Sequence, residues 1–247
     1  LTAFIVFSFC ASSHNKSIQY GISPSKKGYI PARIALLSCI SWPAVASQIK
    51  NQSITNVPPE ESKKLCDEFD QYVASGFDNQ PFMKGLSPKF VEKLYGQVPE
   101  RTPIPSMINQ LWTSTETDCI TCETLPSFYL SSIATRPKWG LWLQDLSNLT
   151  RGSDALLLPL LVHNTVTKRD ERGLMVAERS ALVALLLIDT TNGELIWAGG
   201  REATVASKAF SNDPKAASLV APTSEELKRK LFTDAIWLDF PGRQIYK

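Results

Sequence analysis

The chain has 247 residues, 43% hydrophobic and 20% charged, with 26 Lys and Arg against 24 Asp and Glu. A net charge of +2 with no visibly basic face is too small to imply nucleic acid as a partner, and none is expected. A chain of this length can hold a core by apolar burial alone, so neither a metal nor a disulfide is needed to explain folding.

The first nine residues, Leu1 to Phe9, carry no charge and run into Cys10. A bilayer needs about 20 apolar residues, so this run is too short to span but suits the apolar core of an export signal. A cysteine at its end points to cleavage just before Cys10 and lipid attachment to its thiol. Residues 1–10 therefore read as a lipoprotein signal that lacks its start, since no Met and no basic segment precede the run. Phe9 stands where lipoprotein signal peptidase takes a small residue, which leaves plain secretion with cleavage near Ser12 as the alternative. A short buried strand that happens to contain a cysteine is the third reading.

Residues 11–30 are polar, with Gly21, Pro24, Lys26, Lys27 and Gly28, and read as a tether to a single domain over 31–247. Arg33 to Ser38 is a short apolar run, expected as a buried strand. Pro59, with Glu60 and Glu61 behind it, opens a helix whose apolar face is Leu65, Phe69, Tyr72, Val73 and Phe77, fraying at Gly76. Ser87-Pro88 starts another, with Phe90, Val91 and Leu94 inward. Between Pro105 and Thr150 two or three short helices are expected, the clearest from Lys138 to Leu149.

The second half changes character. Ala155 to His163 and Ser180 to Asp189 are nearly continuous apolar strands, separated by the charged connector Lys168 to Gly173. Thr190-Thr-Asn-Gly193 is a hairpin turn, and Glu194 to Ala198 begins the return strand. Pro159 calls for an edge position or a bulge in the first strand. Thr223-Ser-Glu-Glu226 is a capping-box pattern opening a last helix with Leu227, Leu231, Ala235 and Leu238 on one face, closed by Pro241-Gly242. The expected fold class is α+β: a three- to four-stranded, mainly antiparallel sheet covered by helices, with an extra helical segment at about 100–150.

With Cys10 acylated, Cys39, Cys66, Cys119 and Cys122 remain, an even number that allows three pairings. Cys119-Ile-Thr-Cys122 could close a local disulfide, leaving Cys39 to pair with Cys66. A thiol-exchange role wants an aromatic before the first cysteine and an electropositive setting. Asp118 and Glu123 supply the opposite, so a structural role is favoured over a redox one. A metal site lacks further ligands of the usual spacing. His163, at a strand end, reads as a structural histidine, and no serine-hydrolase elbow accompanies it. Asp67, Glu68 and Asp70 read as a solvated helix face, Lys228-Arg229-Lys230 as another, and Gly199-Gly200 as a bulge. No phosphate loop or dinucleotide fingerprint occurs, so no cofactor is expected.

Three phrases carry a resemblance: Arg33-Ile-Ala-Leu-Leu-Ser-Cys39, Gly76-Phe-Asp-Asn-Gln-Pro-Phe82 and Asp189-Thr-Thr-Asn-Gly-Glu-Leu-Ile-Trp197. In these the chain resembles bacterial lipoproteins whose α/β domain is shared by the curli-secretion lipoprotein, penicillin-binding-protein-activator lipoproteins and the TolB N-terminal domain. More specifically it is similar to a poorly characterised family of bacterial outer-membrane lipoproteins. The resemblance implies a non-enzymatic protein, lipid-anchored at the outer membrane, that binds an envelope protein partner or self-associates, with no catalytic residue to carry over. The helical segment at 100–150 and Phe9 depart from the family pattern. The alternative function is an exported thiol-redox or other enzyme using Cys119 and Cys122.

Overall fold

The computed structural model describes residues 15–41, 55–113, 125–214 and 218–243. Its centre is three strands of 16 residues each: β6 (Ala155–Asp170), β7 (Leu174–Asp189) and β8 (Leu195–Phe210). They form an antiparallel meander in register along nearly their whole length. Around them stand β1 (Asn15–Ile22), β2 (Arg33–Leu36), β3 (Ile40–Ser41), β4 (Thr55–Asn56) and β5 (Lys84–Leu86). The sheet order is β1-β8-β7-β6-β2-β5, with β3 and β4 also pairing to β6. Pairing of β2 with β5 and β6 is parallel, so the sheet is mixed.

This corrects the expected three- to four-stranded sheet. The extra strands are short or polar, and alternation over two to four residues gives too little periodicity to read. The meander strands are also longer than their apolar runs. Lys168, Arg169 and Asp170, expected in a connector, belong to β6, and the true turn is the residue pair Arg172-Gly173. Both have positive φ, 55° and 86°, which matches the twist of a two-residue hairpin.

Residues 15–22 form an edge strand paired with β8 from Asn15↔Ala203 to Ile22↔Trp197, where the sequence pointed to a tether. The signal was present: Ile18, Tyr20 and Ile22 alternate with Gln19 and Gly21, the period of a strand. A polar edge strand and a polar tether have the same composition, and only the alternation separates them.

Pro159 lies in a central strand, opposite Leu185, and needs no edge. The Leu37 amide donates to the Leu157 carbonyl, so residues 157 and 159 face their backbones towards β2. There β2 has stopped, its last register pair being Leu36↔Leu157, and β3 starts at Ile40↔Leu160. The missing N–H of Pro159 falls in the break between two short neighbours, so no ladder bond is lost. A bulge does occur nearby, between Leu161 and His163.

Helices cover both faces. On one lie α2 (Pro88–Gly96), α3 (Ile104–Thr113), the short α4 (Leu125–Phe128) with a π turn (Tyr129–Ile133), and α5 (Pro137–Leu149). Val91, Ile108, Trp139, Leu143 and Leu146 pack there against Leu156, Leu158, Ala184 and Leu186. On the other face lie α1 (Pro59–Ser75) and α6 (Ser224–Leu231), with Leu65, Phe69, Val73, Leu227 and Leu231 against Leu157, Val183, Leu185 and Val205. The near-continuous apolar runs of β6 and β7 follow from this arrangement, because both faces of each strand are buried.

The last helix is shorter than expected. It stops at Leu231, Phe232 takes a non-helical ψ of 78°, and a 3-10 turn over Asp234–Trp237 follows. That break buries Ile236, Trp237 and Phe240 and turns Leu238 outward, 45% exposed. Thr223 caps without a side-chain hydrogen bond. Gly76 is there for packing: it sits at an ordinary helical φ of −61°, and a Cβ on it would lie 2.6 Å from the Trp237 ring.

Candidate functional site

Cys39, after β2, and Cys66, in the second turn of α1, form a disulfide with their Cα atoms 5.2 Å apart. Cys66 is 6% exposed. One turn further on, Asp70 projects from the same side of α1 and accepts the Cys39 amide on Oδ1 at 2.7 Å. Burial pushes the Asp70 carboxyl up to about 7; the Cys39 amide counters this, while Asp67 and Glu92 add to it. Glu92 itself accepts the Ser38 hydroxyl at 2.6 Å.

Asp70 was read from sequence as a solvated residue. The signal that would have found it is the four-residue spacing from Cys66, which places carboxyl and thiol on one helix stripe. Buried at Cys66 and held at the Cys39 amide by Asp70, the pair suits a structural link better than an exposed thiol-exchange catalyst. Of the other expected site residues, Cys10, Cys119 and Cys122 lie outside the described residues.

The Thr190–Gly193 turn, at the Ala155 end of β6, is gripped from three directions. Lys26, in the 3-10 turn Pro24–Lys26 after β1, donates to Asp189 at 2.7 Å and stands 3.5 Å from Glu194. The Asp189 hydrogen bond and the two carboxylates raise the Lys26 ammonium above its ordinary range. Tyr129, in the π turn, donates its hydroxyl to the Gly193 carbonyl at 2.6 Å and accepts Trp139 Nε1–H at 2.9 Å. Burial holds that phenol protonated well above its usual range. Asp154 accepts the amides of Ala32 and Arg33, both at 2.8 Å. This network ties the chain start, the helical layer and the hairpin together. An open groove of about 670 Å³ lies beside it, between Lys27–Ile30 and Asp239–Gly242.

His163 Nε2 stands 3.4 Å from Ser180 Oγ and 3.8 Å from Glu202 Oε1. Hydroxyl and carboxylate share one ring nitrogen, whereas a catalytic base is oriented by an acid on the opposite nitrogen. Burial lowers the His163 pKa. The basic run is not a free patch: Lys228 meets Glu68 at 2.8 Å and also Glu225, locking α6 onto α1. Gly199 and Gly200 lie inside a continuous β7–β8 register. The irregularity is on the facing strand, between Gln19 and Gly21, and a side chain at Gly199 would strike the Trp197 ring. Among the described residues no group of three His, Cys, Asp or Glu is placed to hold a metal ion, and no helix is long and apolar enough to cross a membrane.

The described residues define an α+β domain, a mixed sheet between two helical layers. No family model matches the chain, and no curated protein does. Solved structures to which it is similar include lipoprotein GNA1162 from Neisseria meningitidis, at 12% identity and a TM-score of 0.36, covering 76% of this chain and 92% of that one. A PelC dodecamer from Paraburkholderia phytofirmans matches at 10% identity and 0.34, covering 94% and 100%. The hypothetical protein CT253 from Chlamydia trachomatis matches at 10% identity and 0.37, covering 86% and 98%.

Proposed function

We propose that this chain is a lipid-anchored protein of the cell envelope, held through an acylated Cys10, whose domain works by binding an envelope partner or further copies of itself and not by catalysis. The observation that carries the reading is the Cys39–Cys66 disulfide. Such bonds form and persist outside the reducing cytosol, which agrees with the export-signal reading of the first ten residues. The burial of Cys66 and the Asp70 hydrogen bond to the Cys39 amide support a structural role for the bond.

Mass spectrometry of the mature N-terminus tests the anchor. An acylated Cys10 is the expected result, and Cys10→Ala should move the protein from the detergent phase to the aqueous phase. A mature chain starting near residue 12, or uncleaved, overturns the anchor. Catalysis by Cys119 and Cys122 is tested by insulin reduction. Activity in the native protein that disappears in Cys119→Ser/Cys122→Ser would overturn the non-enzymatic reading.

A further inference from the structure

We infer that two copies of this chain join strand to strand along the outer edge of β5, about a twofold axis at Gly85. The inference rests on the self-association proposed above and names its surface; it is independent of the lipid anchor.

The backbone supplies the first argument. β5 ends the sheet order, and among the described residues it pairs with β2 alone, in parallel register from Arg33↔Lys84 to Ala35↔Leu86. The Lys84 amide donates to the Ala32 carbonyl, so Lys84 and Leu86 turn their backbone groups towards β2. Gly85 therefore turns its N–H and C=O away from the sheet, with the amides of Met83 and Ser87 on the same side. A groove of about 470 Å³, lined by Gln71, Ser75, Asp78, Lys84 and Gly85, opens along this edge. A row of outward backbone donors and acceptors is matched by an added strand.

Side chains supply the second. Edge strands of monomers are blunted by charge, and Lys84 is the one charged residue of β5. Exposed rings stand on either side of it. Phe82, 62% exposed, precedes the strand, and Phe90, 42% exposed, lies in the first turn of α2.

Self-complementarity is the third argument, and it selects a second copy as the occupant. An antiparallel pairing centred on Gly85 sets Phe82 opposite Pro88 of the second copy, Met83 opposite Ser87 and Lys84 opposite Leu86. Each ring then meets a proline, each lysine stem lies over a leucine, and the two Lys84 ammonium groups are not directly opposed. The two Gly85 residues exchange a pair of hydrogen bonds, and each Ser87 amide faces a Met83 carbonyl. Every contact occurs twice, as an isologous interface requires.

The test cross-links the full chain in its membrane. In this register positions 82 and 88 form a non-hydrogen-bonded pair with Cα atoms about 4.5 Å apart, within disulfide reach. Mild oxidation of Phe82→Cys/Pro88→Cys is expected to give a covalent dimer with an 82–88 bridge identified by mass spectrometry. Leu141→Cys, 67% exposed on α5, should give none. As a second measurement, Phe82→Asp should weaken the dimer at least about tenfold by sedimentation in density-matched detergent, with its urea midpoint unchanged. A native dimer that Phe82→Asp leaves as tight, or a Leu141→Cys chain that cross-links equally, overturns this surface and leaves self-association standing. A cross-link to a different protein overturns the second copy as occupant. A native chain that sediments as a monomer overturns both the surface and the self-association.

Discussion

Asp70 and Cys39 meet at 2.7 Å, carboxylate to backbone amide, directly beside the disulfide that joins Cys39 to Cys66 one helical turn earlier on α1. The covalent bond and the hydrogen bond thus grip one residue from one helix stripe. The first is indifferent to pH, and the second depends on a carboxyl group that titrates near neutrality.

A pH dependence follows. The Asp70 carboxyl lies at about 7 in the folded chain against an ordinary 3.8. Below about pH 4 both states hold the proton. Between there and pH 7 the unfolded chain ionises while the folded one keeps its proton, so stability falls as pH rises, then levels off. Asp70→Asn keeps an acceptor for the Cys39 amide and removes the loss. It is expected to gain about 1–2 kcal/mol at pH 8, allowing for solvent screening, and little at pH 4. Urea unfolding at the two pH values checks this; equal changes at both would contradict the Asp70 assignment.

Removing the covalent grip has a different signature. The disulfide joins positions 27 residues apart, and chain entropy alone puts its loss at about 3–4 kcal/mol. Cys39→Ala/Cys66→Ala should lower the urea midpoint accordingly. A double variant as stable as the native oxidised chain would remove the link from the stability of the domain.

Gly199 lies under the Trp197 ring and close to the Ile236 carbonyl. The Trp197 indole also donates to the Leu238 carbonyl at 3.2 Å, so the ring has a fixed seat. Gly199→Ala is expected to cost about 1–3 kcal/mol through displacement of that ring. Gly200→Ala faces a milder contact, 3.1 Å to the Val183 carbonyl, and should cost less. Thermal unfolding of the two variants orders them.

Tyr129→Phe removes the donor to the Gly193 carbonyl and the acceptor for Trp139 Nε1–H together. Leaving two buried polar groups without that partner should cost about 2–4 kcal/mol. Tyr129→Phe/Trp139→Phe should recover part of the loss, since the indole N–H that bonded Tyr129 is removed as well. A double-mutant cycle with no coupling would separate the two bonds.

How much of this was readable from sequence differs by element. The meander, the Thr190–Gly193 turn and helices α1, α2 and α5 were, because each has a long apolar period or a strong terminal residue such as Pro59 or Pro88. β1, β3, β4 and β5 were not. Their places are set by what they pair with, and Ile40-Ser41 or Lys84-Gly-Leu86 carry no period of their own. Pro159 misled for the same reason: its tolerance depends on where β2 and β3 stop. Asp70 was missed because a carboxylate on a helix says nothing about the loop that comes to cover it.

The pairing of β1 with β8 has a consequence in time. Asn15–Ile22 is the first described element, and its partner Leu195–Phe210 follows every other strand in chain order. The sheet cannot close at that edge until all the intervening strands have been made, so that pairing is a long-range, late step of folding.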